Sequence, residues 1–288
     1  MRKLVLLIAL LLPLPALAET VRLGERHYRI ELPARPEGAP LIIALHGGGG
    51  DPDQFAAASG LAGAATRAGY AVAFPAGSGR RDERLLTWNG GYCCGYAMRR
   101  GIDDEAFLKA VIADAGARFG LRRQGVYLTG MSNGAILAET FAARNPGLVR
   151  AVAGVAGTMD TGSTRVRGRV PALIIHGTAD TMVPYGGGRG EGSLTRTDFA
   201  PVRTVVKAFL APWGGGIHAV SRSVDRISDG TSVRIGDYSK RGLVILRLIT
   251  IEGGAHHWPG GRKARLAEGK TQEIDANAEM LRFFALHP

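Results

Sequence analysis

Apolar residues in this chain gather in short, nearly uninterrupted runs rather than in alternation. Residues 41–45, 70–74, 126–128, 149–155, 172–175 and 243–251 are each apolar almost throughout. A strand with that composition is covered on both faces, as in a parallel sheet flanked by helices. The stretches between these runs carry helical spacing. Residues 55–68 predict a helix. Over 103–119, Phe107, Leu108, Val111, Ile112 and Ala115 share one face, and Asp103 and Asp104 stand where carboxylates can accept the free N–H groups of a first turn. Further helices are predicted from Gly134 to about Arg144, over 202–210 and over 271–286. Residues 21–32 read as strand with a turn at Gly24, and 221–227 with 232–238 as a hairpin about Asp229-Gly230. Strands alternating with helices in this way predict an α/β fold, a mostly parallel central sheet with helices on both faces.

Two segments stand outside this pattern. Residues 77–98 are rich in glycine, arginine and aromatics and lack periodicity, which predicts a long surface excursion of the kind that carries function. At the N-terminus, Arg2 and Lys3 precede an apolar run over 4–14, followed by Ala16-Leu17-Ala18. That order predicts a secretory signal over 1–18, cleaved after Ala18, and a secreted or periplasmic protein. The run is shorter than the ~20 residues of a spanning helix. No cysteine follows it to take a lipid, and no later stretch is long and apolar enough to hold the chain stably in a membrane. Without internal repeats or low-complexity linkers, residues 19–288 are expected to form a single domain. The glycine-rich patches at 186–192 and 214–216 then read as loops within it.

Composition narrows the picture. With 45% hydrophobic and 21% charged residues the chain is globular rather than disordered. Its formal charge is +11, and +9 once Arg2 and Lys3 are removed (11 − 2). The arginines are scattered and no basic run alternates with aromatics. The charge is therefore read as a solvated face, suited to an anionic envelope or acidic polysaccharide, and not as a nucleic-acid site. Cys93 and Cys94 are adjacent, with no further cysteine to build a zinc site. An oxidising compartment favours a vicinal disulfide between them over two free thiols or an intermolecular bridge. No metal or cofactor is predicted, and nothing in the sequence specifies an oligomeric state.

The chemistry concentrates at Gly130-Met131-Ser132-Asn133-Gly134, which fits G-x-S-x-G between a short apolar strand and a helix. On such an elbow the serine sits in a sharp strand-to-helix turn, where side chains at the glycine positions would collide with their neighbours. A serine hydroxyl needs a base, and the base needs an orienting acid. Asp180, just past the apolar run 172–175, follows Ser132 in the order Ser, acid, His. His256 and His257 both lie after the last apolar run, and spacing alone does not separate them. His27 and His46 precede the serine, His176 is close to Asp180, His218 precedes the last strand, and His287 is terminal. An oxyanion would be met by the backbone N–H of Asn133 and by one from the loop 46–50, with Gly48 the expected donor and Gly47 and Gly49 the alternatives.

Several motifs occur in order: Leu41 to Gly47, Trp88-Asn89 with Cys93-Cys94-Gly95, Gly101 to Asp104, the elbow, His176 to Asp180 with Val183-Pro184-Tyr185, and His256-His257-Trp258-Pro259. Together they resemble the polyhydroxybutyrate depolymerase and feruloyl esterase group of secreted α/β-hydrolases, over nearly all of the chain after the signal. The resemblance implies an α/β-hydrolase fold and a serine carboxylic ester hydrolase acting through an acyl-enzyme. The group's closing pattern, Gly-Gly-Gly-His-x-Trp-Pro, places its histidine on His256, with Ala255 where a glycine is usual. It also implies that Trp88 and Trp258 line the acyl or aromatic pocket. Polymer-degrading members often add a linker and a binding module; with neither here, soluble esters, hydroxybutyrate oligomers, or feruloyl and acetyl groups on plant polysaccharide are the expected substrates. A serine peptidase of similar fold and a catalytically inactive envelope-binding protein are the alternatives.

Overall fold

The apolar runs become the middle of one sheet. The computed structural model describes residues 18–80, 84–193, 195–262 and 271–288. In chain order its strands are β1 (Ala18–Leu23), β2 (Arg26–Glu31), β3 (Leu41–Leu45), β4 (Ala71–Pro75), β5 (Val126–Met131), β6 (Val149–Val155), β7 (Ala172–Gly177), β8 (Gly188–Arg189), β9 (Asp198–Phe199), β10 (His218–Val224), β11 (Ser232–Lys240) and β12 (Leu243–Glu252). The α-helices are α1 (Pro52–Ser59), α2 (Leu61–Arg67), α3 (Gly95–Arg99), α4 (Asp104–Phe119), α5 (Asn133–Arg144), α6 (Val202–Leu210) and α7 (Ala276–Ala285). Ten strands form the main sheet in the order β1-β2-β4-β3-β5-β6-β7-β12-β11-β10, and β8 and β9 form a small separate ribbon. From β4 to β12 every neighbouring pair is parallel, while β1-β2-β4 and β12-β11-β10 pair antiparallel at the two sides.

Strand periodicity divides the core. In β3, Leu41, Ile43 and Leu45 face one layer and Ile42 and Ala44 the other; β7 splits likewise into Ala172 and Ile174 against Leu173 and Ile175. The first layer is closed by Leu108 and Val111 of α4, Phe141 of α5 and Phe209 of α6, and the second by Phe55 of α1, Leu61 of α2 and Phe283 and Phe284 of α7. Burying a side chain of this kind stabilises by about 1.5–3 kcal/mol, so the two layers supply the driving force that fixes the sheet.

Local chemistry moves several predicted boundaries. The helix expected over 55–68 is two helices, because Gly60 adopts a left-handed φ of 63° and ends α1. The last helix starts at Ala276 rather than Thr271, with the Asp275 carboxylate accepting from the Ala278 N–H as its cap. The excursion at 77–98 carries a short helix, α3, beside Cys93 and Cys94, which are joined in a vicinal disulfide. Residues 1–17 of the expected signal segment lie outside the described residues, and Ala18 opens β1 on the surface. Among the described residues no helix is long and apolar enough to cross a membrane.

Candidate active site

Ser132 stands between β5 and α5 with φ 56° and ψ −124°, a left-handed conformation that costs a non-glycine residue on the order of 1–3 kcal/mol. Its neighbours enforce the turn. A Cβ at Gly134 would run into the carbonyl oxygens of Leu45 and His46, and one at Gly130 would lie 2.5 Å from the Gly134 carbonyl carbon. The Ser132 N–H donates to Val155 O at 2.9 Å, and its carbonyl accepts the first helical bond from Ile136 at 3.0 Å. Its side chain makes no cap hydrogen bond to the helix, and the residue is half-buried.

Asp180 and His256 rise from the same edge of the sheet. Asp180 follows β7 and His256 follows β12, the two strands paired in parallel with Ile251 opposite Gly177. Backbone bonds from Thr178 N to Ile251 O and from Ala179 N to Gly254 O, 2.9 and 2.8 Å, tie the two turns together. Asp180 Oδ1 accepts the N–H groups of Met182 and Val183, and Asp180 Oδ2 lies 2.8 Å from His256 Nδ1. Burial pushes this carboxyl up, but the hydrogen bonds of His176 and His256 outweigh it and hold Asp180 well below the usual carboxylate range. His176, close to Asp180 in the sequence, is also beside it in the fold. Its Nε2 donates to Val183 O at 2.7 Å, and the same nitrogen lies 3.4 Å from Asp180 Oδ2.

His256 and His257 separate by their partners. The Nδ1 of His257 donates to Ala255 O at 3.0 Å and its Nε2 accepts from Thr271 N at 3.1 Å, so both ring nitrogens serve the loop. Burial lowers its basicity, which suits that neutral form. Of these two neighbours, His256 is the one oriented by a carboxylate. It lies three strands from the serine's strand, in the order β5-β6-β7-β12.

The glycine loop after β3 packs directly on the elbow. A Cβ at Gly47 would lie 3.6 Å from Ser132 Cβ, and one at Gly48 3.6 Å from Asn133 Cβ. His46 anchors this loop from within: its Nδ1 donates to Gly47 O at 2.8 Å, and its Nε2 accepts from Gly77 N at 3.0 Å. Full burial drops its pKa to about 4, so it stays neutral in both roles.

The two tryptophans do not line an open pocket as the resemblance implied. Trp88 is completely buried, and its indole N–H donates to His46 O at 2.9 Å. Trp258 is also buried, donates to Asn277 Oδ1 at 3.1 Å and meets Phe55 edge-on. Trp88 ties its segment to the loop after β3, and Trp258 ties its loop to α7 and α1. Beside the elbow, Cys93, Ile136, Val183 and Phe199 form a further buried apolar cluster, with Tyr92 packed against it. Ile136 follows Ser132 by one helical turn, and Val183 donates to Asp180, so this cluster joins the serine's helix to the acid's turn.

Glu139 escaped the sequence analysis. It is buried two turns into α5, with Oε2 accepting from Met159 N at 2.8 Å, and burial raises its pKa to about 8. Every residue from Asn133 to Ala143 is buried, so the helix carries its polar side chains into the interior.

A family model described as Esterase PHB depolymerase matches residues 27–166. A protein of Nocardia uniformis subsp. tsuyamanensis described as "Putative esterase NocK" is 31% identical over 255 residues, covering 82% of this chain and 71% of its own. Among solved structures, an acetyl xylan esterase from Aspergillus awamori superposes with a TM-score of 0.63 at 14% identity, over 93% of this chain and 99% of that one. TT1662 from Thermus thermophilus does so with 0.58 at 18% identity, over 96% and 100%. An S-formylglutathione hydrolase from Agrobacterium tumefaciens gives 0.53 at 14%, over 94% and 93%. At these identities the structural likeness speaks for the fold.

Proposed function

The chain belongs to the polyhydroxybutyrate depolymerase and esterase group of α/β-hydrolases and is a carboxylic ester hydrolase, and from that premise we propose that it is a secreted serine esterase acting through Ser132, His256 and Asp180. Ser132 Oγ attacks the acyl carbonyl carbon and passes its proton to Nε2 of His256. The imidazolium that forms keeps its Nδ1–H on Asp180, whose ionised carboxylate stabilises the charge. The oxygen of the tetrahedral intermediate accepts from the N–H of Asn133 and of Gly48. Collapse breaks the ester C–O bond, and His256 gives its proton to the leaving alkoxide. Water then attacks the acyl-enzyme, His256 takes its proton, and the acid departs as Ser132 recovers its hydrogen.

What supports this chemistry above all is the pairing of Asp180 Oδ2 with His256 Nδ1 at 2.8 Å on the sheet edge that also carries the left-handed Ser132. Hydroxybutyrate oligomers and the acetyl or feruloyl esters of plant polysaccharide are the substrates proposed, acetyl esters being the class named for the Aspergillus neighbour.

The test is hydrolysis of p-nitrophenyl acetate and butyrate by wild type and Ser132→Ala, with rates expected to fall by at least about 10³-fold. Undiminished turnover by the variant would overturn the mechanism. A panel of hydroxybutyrate oligomers, acetyl-xylan and feruloyl esters then ranks the substrates. Secretion predicts that the exported protein begins at Glu19, which intact mass reads directly.

A further inference from the structure

Both oxyanion donors of the mechanism just proposed lie on segments that meet at one buried residue. We propose that Trp88 is a positioning residue that sets the oxyanion hole by tying its two halves together; this rests on the esterase mechanism above. The Trp88 backbone is clamped by the side chain of Asn133. Asn133 Oδ1 accepts from Trp88 N at 2.7 Å, and Asn133 Nδ2 donates to Trp88 O at 2.9 Å. The Trp88 indole N–H meanwhile donates to His46 O at 2.9 Å. One residue therefore holds the side chain of the first donor residue, Asn133, and the carbonyl two residues before the second, Gly48.

The strut is itself braced. Trp88 is 0% exposed and Asn133 2%, so neither exchanges these bonds with solvent. The next residue, Asn89, donates its N–H to Asp104 Oδ2 at 2.7 Å and its amide to Ile102 O at 3.0 Å. Asp104 is buried at the start of α4 and lies 2.8 Å from Arg26 Nη1, while Arg26 Nη2 donates to Ala76 O and the guanidinium covers the Phe107 ring at 3.6 Å. Trp88 and Asn89, in the segment without sequence periodicity, are thus braced through Asp104 and Arg26. Fixed donors stabilise a developing oxyanion without reorganisation, and a displacement of about 1 Å can cost up to 10²-fold in rate.

Removing the indole N–H while keeping the ring isolates this role. Trp88→Phe does so with some loss of packing, and replacing Trp88 by benzothienylalanine does so with the ring shape retained, so at least one variant reports on a folded protein. Assays run well below each variant's melting temperature. Turnover of p-nitrophenyl butyrate is expected to fall by about ten- to a hundredfold with KM within about twofold. Affinity for a trifluoromethyl ketone, which adds to the serine and places an oxyanion in the hole, should weaken by the same factor. The inference is overturned if both variants keep kcat within threefold of wild type, or if kcat falls while the ketone binds as before. Labelling of wild type by a fluorophosphonate at Ser132 separates the two levels. With no labelling the serine mechanism itself fails; with labelling and unchanged variants, only the role of Trp88 does.

Discussion

Asp180 Oδ2 and His256 Nδ1 stand 2.8 Å apart, both side chains buried, and the other carboxylate oxygen of Asp180 is held by the N–H groups of Met182 and Val183. The acid therefore cannot rotate away from the imidazole. Asp180→Asn keeps its size but turns an amide N–H toward His256 if Oδ1 is to keep its two backbone donors. His256 must then carry its proton on Nε2, where it cannot accept the serine proton. Ester hydrolysis is expected to fall by about 10³–10⁴-fold with KM little changed; steady-state kinetics on p-nitrophenyl butyrate check it, and a loss below tenfold would remove Asp180 from the mechanism.

Two adjacent histidines should fail in different ways. His256→Ala removes the base and should abolish turnover to the level of Ser132→Ala. His257→Ala breaks the bonds to Ala255 O and Thr271 N, which hold the loop rather than the substrate. It should lower the melting temperature, at a cost of about 1–3 kcal/mol for the buried groups left without partners, with kcat within a few-fold of wild type. Thermal melts and kinetics on both variants test this; the reverse pattern would exchange their roles.

Glycine at position 134 is demanded by backbone, not by flexibility. A methyl group there meets the carbonyl oxygens of Leu45, the last residue of β3, and of His46 just after it, backbone atoms that cannot swing aside as a flexible side chain would. Gly134→Ala is expected to cost more than about 3 kcal/mol or to yield no folded protein. Gly147→Ala, whose added methyl meets nothing within 4 Å, should stay within about 0.5 kcal/mol of wild type. Denaturant titration of both variants measures the contrast.

The sheet was legible in the sequence because its parallel strands are apolar on both faces, so Leu41 to Leu45 could hardly belong anywhere but a covered interior. The elbow was legible because steric demand at Gly130 and Gly134 leaves a pattern within five residues. The role of each tryptophan was not. Trp88 bonds to His46, 42 residues away, and Trp258 to Asn277, 19 away, and no local pattern records such a partner. The break of the first helix at Gly60 was hidden for a related reason. An isolated glycine in a helical stretch is often tolerated, and only the left-handed φ that Gly60 adopts between α1 and α2 makes it a stop. His256 and His257 are equivalent in spacing, and their difference lies in which carboxylate or carbonyl each ring meets after the chain has folded.

Glu139 makes the stability of this protein depend on pH in a direction opposite to most carboxylates. Burial raises its pKa from 4.5 to about 8, only partly offset by the Met159 N–H it accepts. The nearby Tyr92 hydroxyl, itself buried, is pushed up to about 12 and stays neutral over the same range. Between the two Glu139 values the folded chain keeps a proton that the unfolded chain has released. The native state then binds more protons, so the stability this group contributes is full below the unfolded value and is lost as pH rises through the folded one. Glu139→Gln retains an acceptor for Met159 and does not titrate. The melting temperature of the variant relative to wild type should therefore climb steadily from about pH 5 to about pH 8 and level off above it. Parallel curves for the two proteins across that range would show that Glu139 is ionised in the native state.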